Sequence, residues 1–446
     1  MTSRSLFRIA LAAGLALSGV LAGTAAAQSA AAQPTAGAAP VYWRVPATGA
    51  QAAELAQAGF DVADESAGSA YVVGDQSVAG KLRALGYRPE FSDTVYKDLS
   101  AASPNTAAAD TFYGGYRTVA AHEAHLKQVT AAHPDLATEY TIGQSWKKTK
   151  GQGGHDMQAI CLTKKQAGDC TLSTTSPKPK FVLMAQIHAR ELSTGELAWR
   201  WIDYLADGYA TDATAKSILD TTEVWVVPMA NPDGVDIVAS GGNSPKLQRK
   251  NADNARGNCS GTNIGIDVNR NSTFRWGGDS NSPCAETYQG ASAGSEPETK
   301  ALEGLFRSIY PVQRGTGDND PAPATARGTM ITLHSYGNDI IIPWGFTPSK
   351  SPNDAQYRKL GAKYSASNGY LVGTNEDTVG YATSGTTDDF TYGALGVASV
   401  TFEVGGSSGS CGGFLPKYSC VDSTFWPKNK PAFIAAAKAA AAPYQQ

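Results

Sequence analysis

The stretch Phe181-Val-Leu-Met-Ala-Gln-Ile187 is almost wholly apolar, and it continues directly into His188-Ala-Arg190-Glu191. Met330–His334 and Val400–Glu403 repeat this pattern, since each is an apolar run that ends on a polar residue. Short apolar runs of this kind are typical of buried strands. In open α/β sheets, groups that follow the carboxyl ends of neighbouring strands meet in one crevice. The pattern therefore predicts an α/β sheet covered by helices, with one polar cleft at its edge.

Strand-like and helix-like segments alternate between these runs, as expected for that fold class. Thr194–Leu205 has the pattern of a helix, with Ser193 or Thr194 as its N-cap. Glu223–Val227 is a predicted strand closed by Pro228. All six histidines and all six cysteines follow Thr111. We therefore expect the chemistry of the protein in this larger, C-terminal part of the chain.

His188 and Glu191 form an H-x-x-E pair, and His334 supplies a second imidazole far along the chain. Two neutral imidazoles and one carboxylate bind Zn²⁺ and leave a fourth position open for water. A metal ion there would acidify the water or polarise a carbonyl, and Glu403 would accept the proton as general base. The pair alone is a weak signal, because many unrelated sequences contain it. A histidine satisfied within the core is the alternative interpretation.

The segments around these residues resemble, in chain order, those of the zinc carboxypeptidases, the family of carboxypeptidases A and B. Ile187–Glu191 resembles the first metal motif of the family, His334-Ser335-Tyr336 the second, and Phe402-Glu403 the general-base strand. The other similar segments are Asn231–Gly234, Arg249-Lys250, Gly265–Asn271, Pro283–Tyr288, Ser295-Glu296 and Tyr381–Asp389. The resemblance spans roughly residues 111 to 435. It implies a mixed central β-sheet flanked by helices on both faces, and a secreted one-zinc enzyme that releases single C-terminal residues from peptides and proteins.

The resemblance also implies a role for each residue of the metal site. His188, Glu191 and His334 would bind zinc, and Asp267 would accept the second ring proton of His188 and so fix its tautomer. Arg249 would stabilise the oxyanion that forms during hydrolysis.

The resemblance also implies that four further residues bind the substrate. Asn269 and Arg270 would hold the terminal carboxylate, and Arg270 offers a two-pronged fork for it. Tyr381 would close over that carboxylate as a phenolic lid. Arg190 would contact the substrate further from its C-terminus. Because Arg270 is left unpaired when an internal peptide bond is offered, this arrangement predicts exo-action.

The preferred C-terminal residue is set, in this family, by a pocket whose floor lies seven positions after the lid tyrosine. That position is Asp388 in this chain, which resembles carboxypeptidase B and predicts a preference for Lys or Arg. Gly345 leaves space along the pocket wall. Family members carry Gly-Ser before the floor residue, whereas this chain has Thr386-Thr387, so a mixed basic and hydrophobic preference is the alternative. The alternative interpretation is that Asp388 is only a solvent-exposed acid in a loop and takes no part in the pocket.

The N-terminal part of the chain divides into three predicted segments. Residues 1–27 have the charged start, apolar run and small-residue site of a secretory signal peptide, with a membrane anchor as the less favoured interpretation. Residues 28–109 are a predicted propeptide, with a small α/β domain of βαβα pattern over 41–91 and a linker over about 100–110. The resemblance implies that this domain inhibits the enzyme, and a permanent substrate-binding module is the alternative. Residues 110–446 are the predicted catalytic domain.

The cysteines are few but even in number, which in an exported protein predicts disulfides. Proximity suggests the pairs Cys161/Cys170, Cys259/Cys284 and Cys411/Cys420, although six cysteines allow 15 connectivities. The pair Cys259–Cys284 also matches the position of the disulfide in the carboxypeptidase family.

Composition excludes several other classes of protein. The net charge of −3 gives no electrostatic indication that the protein binds nucleic acid or an anionic membrane. We also expect the protein to be a monomer. His122-Glu123-Ala-His125 lacks the i, i+4 histidine spacing of a zinc-binding helix, and we predict that it lies on a helix surface. Gly405–Gly409 fits G-x-S-x-G but is not followed by the helix that a nucleophile elbow requires. His133 and His155 are predicted surface residues. The remaining functional alternatives are a peptidase acting on cell-wall peptides and a peptide-binding pseudoenzyme.

Overall fold

The computed structural model describes residues 39–66, 68–99 and 110–446 of the chain. The predicted signal peptide and nearly all of the predicted linker lie outside the described residues. Within the described part, no helix is both long enough and apolar enough to cross a membrane. The described residues belong to one compact unit.

The N-terminal segment forms a four-stranded antiparallel sheet with two helices. Its elements are β1 (Val41–Pro46), α1 (Gly49–Gln57), β2 (Asp61–Ser66), β3 (Ser69–Gly74), α2 (Gln76–Ala84) and β4 (Glu90–Thr94). The strand order is β2-β3-β1-β4. The prediction of a βαβα pattern missed β2 and β4. Both strands are rich in charged and hydroxyl residues, and β4 is largely exposed, so neither carries the apolar signal of a strand.

The rest of the chain is built on an eight-stranded mixed sheet, after a short hairpin of β5 (Thr111–Phe112) and β6 (Tyr116–Arg117). Its strands are β7 (Ala137–Gln144), β8 (Asp156–Leu162), β9 (Lys180–Met184), β10 (Glu223–Val227), β11 (Thr329–His334), β12 (Asp339–Ile341), β13 (Leu371–Gly373) and β14 (Ala398–Glu403). Their spatial order is β13-β12-β14-β11-β9-β10-β8-β7. The four central strands β14, β11, β9 and β10 are parallel, so their carboxyl ends share one edge. This arrangement confirms the predicted fold class.

Helices cover both faces of this sheet. They are α3 (Val119–Ala132), α4 (Trp146–Thr149), α5 (Leu192–Ala206), α6 (Ala213–Thr221), α7 (Pro232–Ala239), α8 (Pro297–Ile309), α9 (Asp354–Asn368), α10 (Thr387–Leu395) and α11 (Trp426–Ala439). Successive strand residues point to opposite faces. Phe181 and Leu183 of β9 therefore pack in the cluster with α3, α5, α6, α9 and α11, while Val182 and Met184 pack in the cluster with α8 and α10.

The chain leaves β9 earlier than its apolar run suggests. The strand ends at Met184, and Gln186 has a positive φ of 49°, so the chain turns before it reaches His188. The N-cap prediction for the next helix is wrong, because α5 begins at Leu192 with Glu191 as its N-cap. The hydroxyl of Thr194 instead accepts a hydrogen bond from the Gln186 N–H (3.2 Å) and so ties the turn to the helix.

The N-terminal sheet packs against the larger part of the chain. The Phe414 N–H donates to the Tyr42 hydroxyl (3.2 Å), and the Tyr96 hydroxyl donates to the Pro245 carbonyl (3.0 Å). Tyr42 also meets Tyr336 edge to face, with 5.9 Å between the ring centroids.

The three disulfides predicted by proximity are present: Cys161–Cys170, Cys259–Cys284 and Cys411–Cys420. The prediction that His122 and His125 lie on a helix surface is wrong in one respect. Both residues are on α3 but are buried, and the His125 ring stacks on Trp199 with 3.6 Å between centroids. His155 is also less exposed than predicted, because its two ring nitrogens bind Glu123 and Asp236.

Candidate metal centre and substrate cleft

Three side chains able to bind a metal meet at the carboxyl edge of the central strands. His188 lies in the turn after β9, Glu191 is the N-cap of α5, and His334 is the last residue of β11. Because β9 and β11 are parallel neighbours, their ends lie side by side. All three side chains are at least 97% buried, which is unusual for two imidazoles and a carboxylate unless they serve a common partner.

The distances within this group suit a tetrahedral zinc ion. His188 Nδ1 lies 2.8 Å from Glu191 Oε1 and 3.1 Å from His334 Nδ1, and His334 Nδ1 lies 3.1 Å from Glu191 Oε2. Zinc bonds of about 2.0–2.1 Å in tetrahedral geometry separate ligand atoms by about 3.3 Å. The donor set, two imidazole nitrogens and one carboxylate, is also one that zinc prefers. The residues present therefore fit zinc, and they face one another through the atoms that would bind it.

Asp267 controls the protonation of the first imidazole. Its Oδ1 lies 3.1 Å from His188 Nε2, so Nε2 carries the proton and Nδ1 presents its lone pair to the metal position. Asp267 also accepts two hydrogen bonds from the Arg249 guanidinium, at 3.0 and 2.9 Å. Burial alone would raise the pKa of Asp267, but the charges of Arg249 and His188 outweigh it and hold that pKa well below its ordinary value.

Asn269 and Arg270 follow Asp267 on a single 3₁₀ turn, Val268–Arg270, and both are buried beside the metal group. The Arg270 Nε donates to Asp279 (3.1 Å) and its Nη1 to the Asn269 carbonyl (2.8 Å), which fixes the guanidinium. The Asn269 Oδ1 accepts hydrogen bonds from the N–H and hydroxyl of Thr387, at 3.0 and 3.1 Å. The amide NH₂ of Asn269 therefore remains available as a donor.

Glu403, Tyr381 and Arg249 line the same cleft as the metal group. Glu403 ends β14 directly opposite His334 in the register of the two parallel strands, which places it beside the metal position. Burial raises the pKa of Tyr381, although the nearby charges of Arg270 and Arg249 act against it, so the phenol is protonated at neutral pH.

Asp388 lines the cleft from the first turn of α10 and is 96% buried. Its Oδ2 accepts a hydrogen bond from the Thr401 hydroxyl (3.2 Å). Gly345 borders the same region, and a Cβ at that position would come within 3.1 Å of the Thr383 hydroxyl and 3.3 Å of Asn375 Oδ1. A side chain there would crowd the cleft wall. The carboxylate of the fully buried neighbour Asp389 accepts hydrogen bonds from the backbone N–H groups of Gly345 and Phe346.

Arg190 also lines the cleft, and its guanidinium is held by the N-terminal sheet. Asp61 of β2 accepts two hydrogen bonds from it, at 2.5 and 2.7 Å. Glu286 lies 3.6 Å away on another side, and the Phe414 ring lies 4.0 Å beneath the guanidinium carbon. Val62 and Ala63, which follow Asp61, line the cleft itself.

Several residues of the cleft escape sequence reasoning. Asp279 binds both Arg270 and, through its other oxygen, the N–H and hydroxyl of Ser384. Asp61, Glu286 and Phe414 surround Arg190. An acid in a polar loop carries no local signal of its partner, so only the folded chain reveals these contacts.

A comparison with protein-family models matches residues 122–428 to the model described as zinc carboxypeptidase. The chain belongs to the zinc carboxypeptidase family. This match covers most of the larger part of the chain and includes every residue of the metal group. The zinc carboxypeptidases use one Zn²⁺, which the His-Glu-His group fits, and the protein is accordingly a metallocarboxypeptidase, a hydrolase.

Individual relatives agree with this family assignment. The chain is 28% identical over 377 residues to a zinc carboxypeptidase of Saccharothrix mutabilis subsp. capreolus, which covers 81% of this chain and 80% of that protein. It is 27% identical over 372 residues to carboxypeptidase B of Helicoverpa zea, covering 80% of this chain and 77% of that protein. The crystal structure of carboxypeptidase A from Helicoverpa armigera matches with a TM-score of 0.69 at 21% identity, over 90% of this chain and 98% of that one. That structure shows the shared fold.

We predict that the metal-free protein takes up one Zn²⁺ per chain and that H334A weakens this binding by more than about 100-fold. Loss of a partner that only orients a ligand already costs 10–100-fold, and H334A removes a ligand itself. Isothermal titration of the chelator-treated protein measures the affinity. H133A is the matched control, because His133 binds only Asp207 at the surface. Equal zinc affinity for H334A and H133A would contradict the assigned ligand set.

Proposed function

We propose that this protein is an exported exopeptidase that removes single C-terminal residues from peptides and proteins, with a preference for Lys and Arg or for basic and apolar residues together. The observation that carries the proposal is the position of Arg270 and Asn269. Both line the metal cleft, which the buried acid Asp388 also lines. The family assignment supports the reaction class, and the chain's own cleft residues support the substrate class.

Recognition of a free C-terminus follows from the charge of the buried guanidinium. Among the described residues Arg270 forms an ion pair with one carboxylate, Asp279, and a substrate carboxylate would be the second. The Asn269 amide donates to the same carboxylate, and the protonated Tyr381 phenol offers a third donor from the other side of the cleft. An internal peptide bond or a C-terminal amide supplies no anion, and a buried group left without its partner is costly.

Hydrolysis requires an activated water and a stabilised oxyanion. His188, Glu191 and His334 would hold the zinc ion, which would supply Lewis acidity for the scissile carbonyl and for the attacking water. Glu403, opposite His334, takes the proton from the attacking water and passes it to the leaving amine. Arg249, whose guanidinium is oriented by Asp267, stabilises the negative charge on the carbonyl oxygen.

The preference for a basic residue rests on Asp388. A carboxylate that is almost fully buried gains from a cationic partner, and Lys and Arg side chains supply that charge together with hydrogen-bond donors. Because Gly345 has no side chain, the cleft beside it leaves room for a long substrate side chain. Thr386 and Thr387 stand where the family carries smaller residues, and this difference leaves a mixed basic and apolar preference as the alternative.

E403Q is expected to bind one zinc ion yet to lower kcat by about 10²–10⁴-fold, because the amide cannot accept the proton. Peptides with a free C-terminus should be cleaved by the unaltered enzyme at least about 100-fold faster than their C-terminal amides. Steady-state kinetics on one matched peptide pair measure both effects. E376Q, an exposed residue outside the cleft, is the control and should be fully active. Near-normal turnover by E403Q would refute the mechanism, and equal cleavage of the amide would refute exo-action.

D388A is expected to lower the ratio of kcat/KM for C-terminal Arg over C-terminal Phe by about 10–100-fold. Loss of a hydrogen-bonded charge pair costs about 1.5–3 kcal/mol, and the apolar substrate does not use it. D220A serves as the control, because Asp220 is a half-buried acid of α6 that pairs with Lys216 and does not line the cleft. An unchanged ratio in D388A would show that Asp388 does not form the pocket floor.

We also propose that residues 28–109 are a propeptide that follows the signal peptide 1–27 and inhibits the enzyme until it is removed. The contact of Asp61 with Arg190 supports this proposal, because it fills the cleft position that we assign to the upstream part of the substrate. Val62 and Ala63 lie over the same cleft. The buried guanidinium is thus neutralised by the chain's own N-terminal segment.

D61A should raise the activity of the intact, uncleaved chain on a small blocked dipeptide at least about tenfold, because a broken buried ion pair costs several kcal/mol. D93A is the matched control, since Asp93 binds Lys97 and the Thr94 N–H, both within the N-terminal segment. Equal activity of D61A and D93A would argue against inhibition through this contact. Mass spectrometry of the exported protein completes the test: a start near residue 28 argues against removal, and a start near residue 110 supports it.

A further inference from the structure

Thr386 occupies the N-cap position of α10, immediately before the first turn that carries Asp388. An N-cap threonine ordinarily uses its side-chain oxygen to accept a hydrogen bond from an N–H of the first helical turn. Thr386 makes no such bond. Its hydroxyl is therefore not committed to the helix that it precedes.

The Thr386 hydroxyl has no hydrogen-bond partner anywhere in the described part of the chain, although the residue is only 4% exposed. A buried hydroxyl without a partner destabilises a folded protein. Valine has nearly the same shape and would remove that cost. Because Thr386 also lines the cleft, a group that binds there can supply the missing hydrogen bond.

The residues that line the cleft with Thr386 indicate which chemical group would be that partner. Thr386 and Asp388 line the same cleft, and the neighbouring Asn375 donates its NH₂ to the Thr383 hydroxyl (2.9 Å), which leaves its carbonyl oxygen as an acceptor. Hydrogen-bond acceptors around one buried carboxylate favour a ligand whose polar end carries only hydrogen-bond donors. Lys and Arg side chains carry donors only.

We propose that Thr386 is a second specificity-determining residue, and that its Oγ1 accepts a hydrogen bond from the cationic end of the Lys or Arg side chain that Asp388 attracts. This inference rests on the proposed basic preference and adds the group that orients the charge. An apolar side chain offers no donor to this hydroxyl, so we expect the gain to be confined to basic substrates.

The adjacent threonine has a different task. The hydroxyl and N–H of Thr387 both bind the Asn269 Oδ1, so Thr387 positions a group that would hold the terminal carboxylate. Every substrate shares that carboxylate. Thr386 would therefore affect which substrate side chain is preferred, whereas Thr387 would affect binding of the C-terminal carboxylate.

The test compares T386V and T386S with the unaltered enzyme on three peptides that differ only in a C-terminal Arg, Lys or Phe. T386V should lower kcat/KM for Arg and Lys about tenfold, equivalent to about 1.4 kcal/mol, mainly through KM. Its value for Phe should stay within about twofold. T386S keeps the hydroxyl and should restore the basic substrates. Inhibition by free arginine, a binding measurement that does not depend on turnover, should weaken in T386V by the same factor.

Two controls separate this role from general damage. T387V should lower kcat/KM for all three peptides equally, because it disturbs Asn269. T299V removes another buried hydroxyl without a described partner, on α8 and outside the cleft, and should leave the ratios unchanged. An unchanged Arg/Phe ratio in T386V, while D388A alters it, would overturn the assignment of Thr386 alone. An unchanged ratio in both variants would overturn the basic preference itself.

Discussion

The buried carboxylate of Asp267 connects the metal group with the rest of the cleft. One of its oxygens lies beside the second ring nitrogen of His188, and the other accepts both hydrogen bonds of Arg249. The first oxygen also accepts the backbone N–H of Asn269, at the start of the turn that carries Arg270. A fully buried acid is stable only when it is paired in this way. Asp267 therefore links the metal group to Arg249 and to the turn that carries Arg270.

A second constraint is the cost of burying guanidinium groups. Arg270 and Arg190 are both at least 95% buried, and each has carboxylates around it. Arg270 keeps Asp279 as an internal partner, which also binds the loop before α10. Arg190 has its short contacts with Asp61, from the N-terminal sheet, while Glu286 stands further off. This asymmetry explains why the N-terminal segment can occupy one side of the cleft and leave the carboxylate-binding side to the chain's own loop.

Much of the fold was predictable, because apolar runs that end in polar residues identify central parallel strands and the edge at which they meet. The metal group was predictable for the same reason, together with the order of motifs around it. Other features were not. The strands β2 and β4 lack an apolar signal, and the N-cap of α5 is Glu191 rather than a hydroxyl residue, because the turn after β9 is shaped by Thr194 from within the helix. His122 and His125 are buried because Trp199 covers them, which no local pattern indicates.

The sequence by itself determined the fold class, the zinc-binding residue types and the cysteine pairs that neighbour one another along the chain. These features are local: a run of apolar residues, a short spacing or a motif. Only the tertiary structure decided which charges face each other. The contact of Asp61 with Arg190 joins elements that are distant in sequence, and the contact of Asp279 with Arg270, nine positions apart, depends on how the loop between them folds. That the Thr386 hydroxyl has no partner among the described residues is likewise seen only in the folded chain. Electrostatic interactions and hydrogen bonds depend on distances of a few ångströms, and those distances are fixed by the packing of the whole sheet.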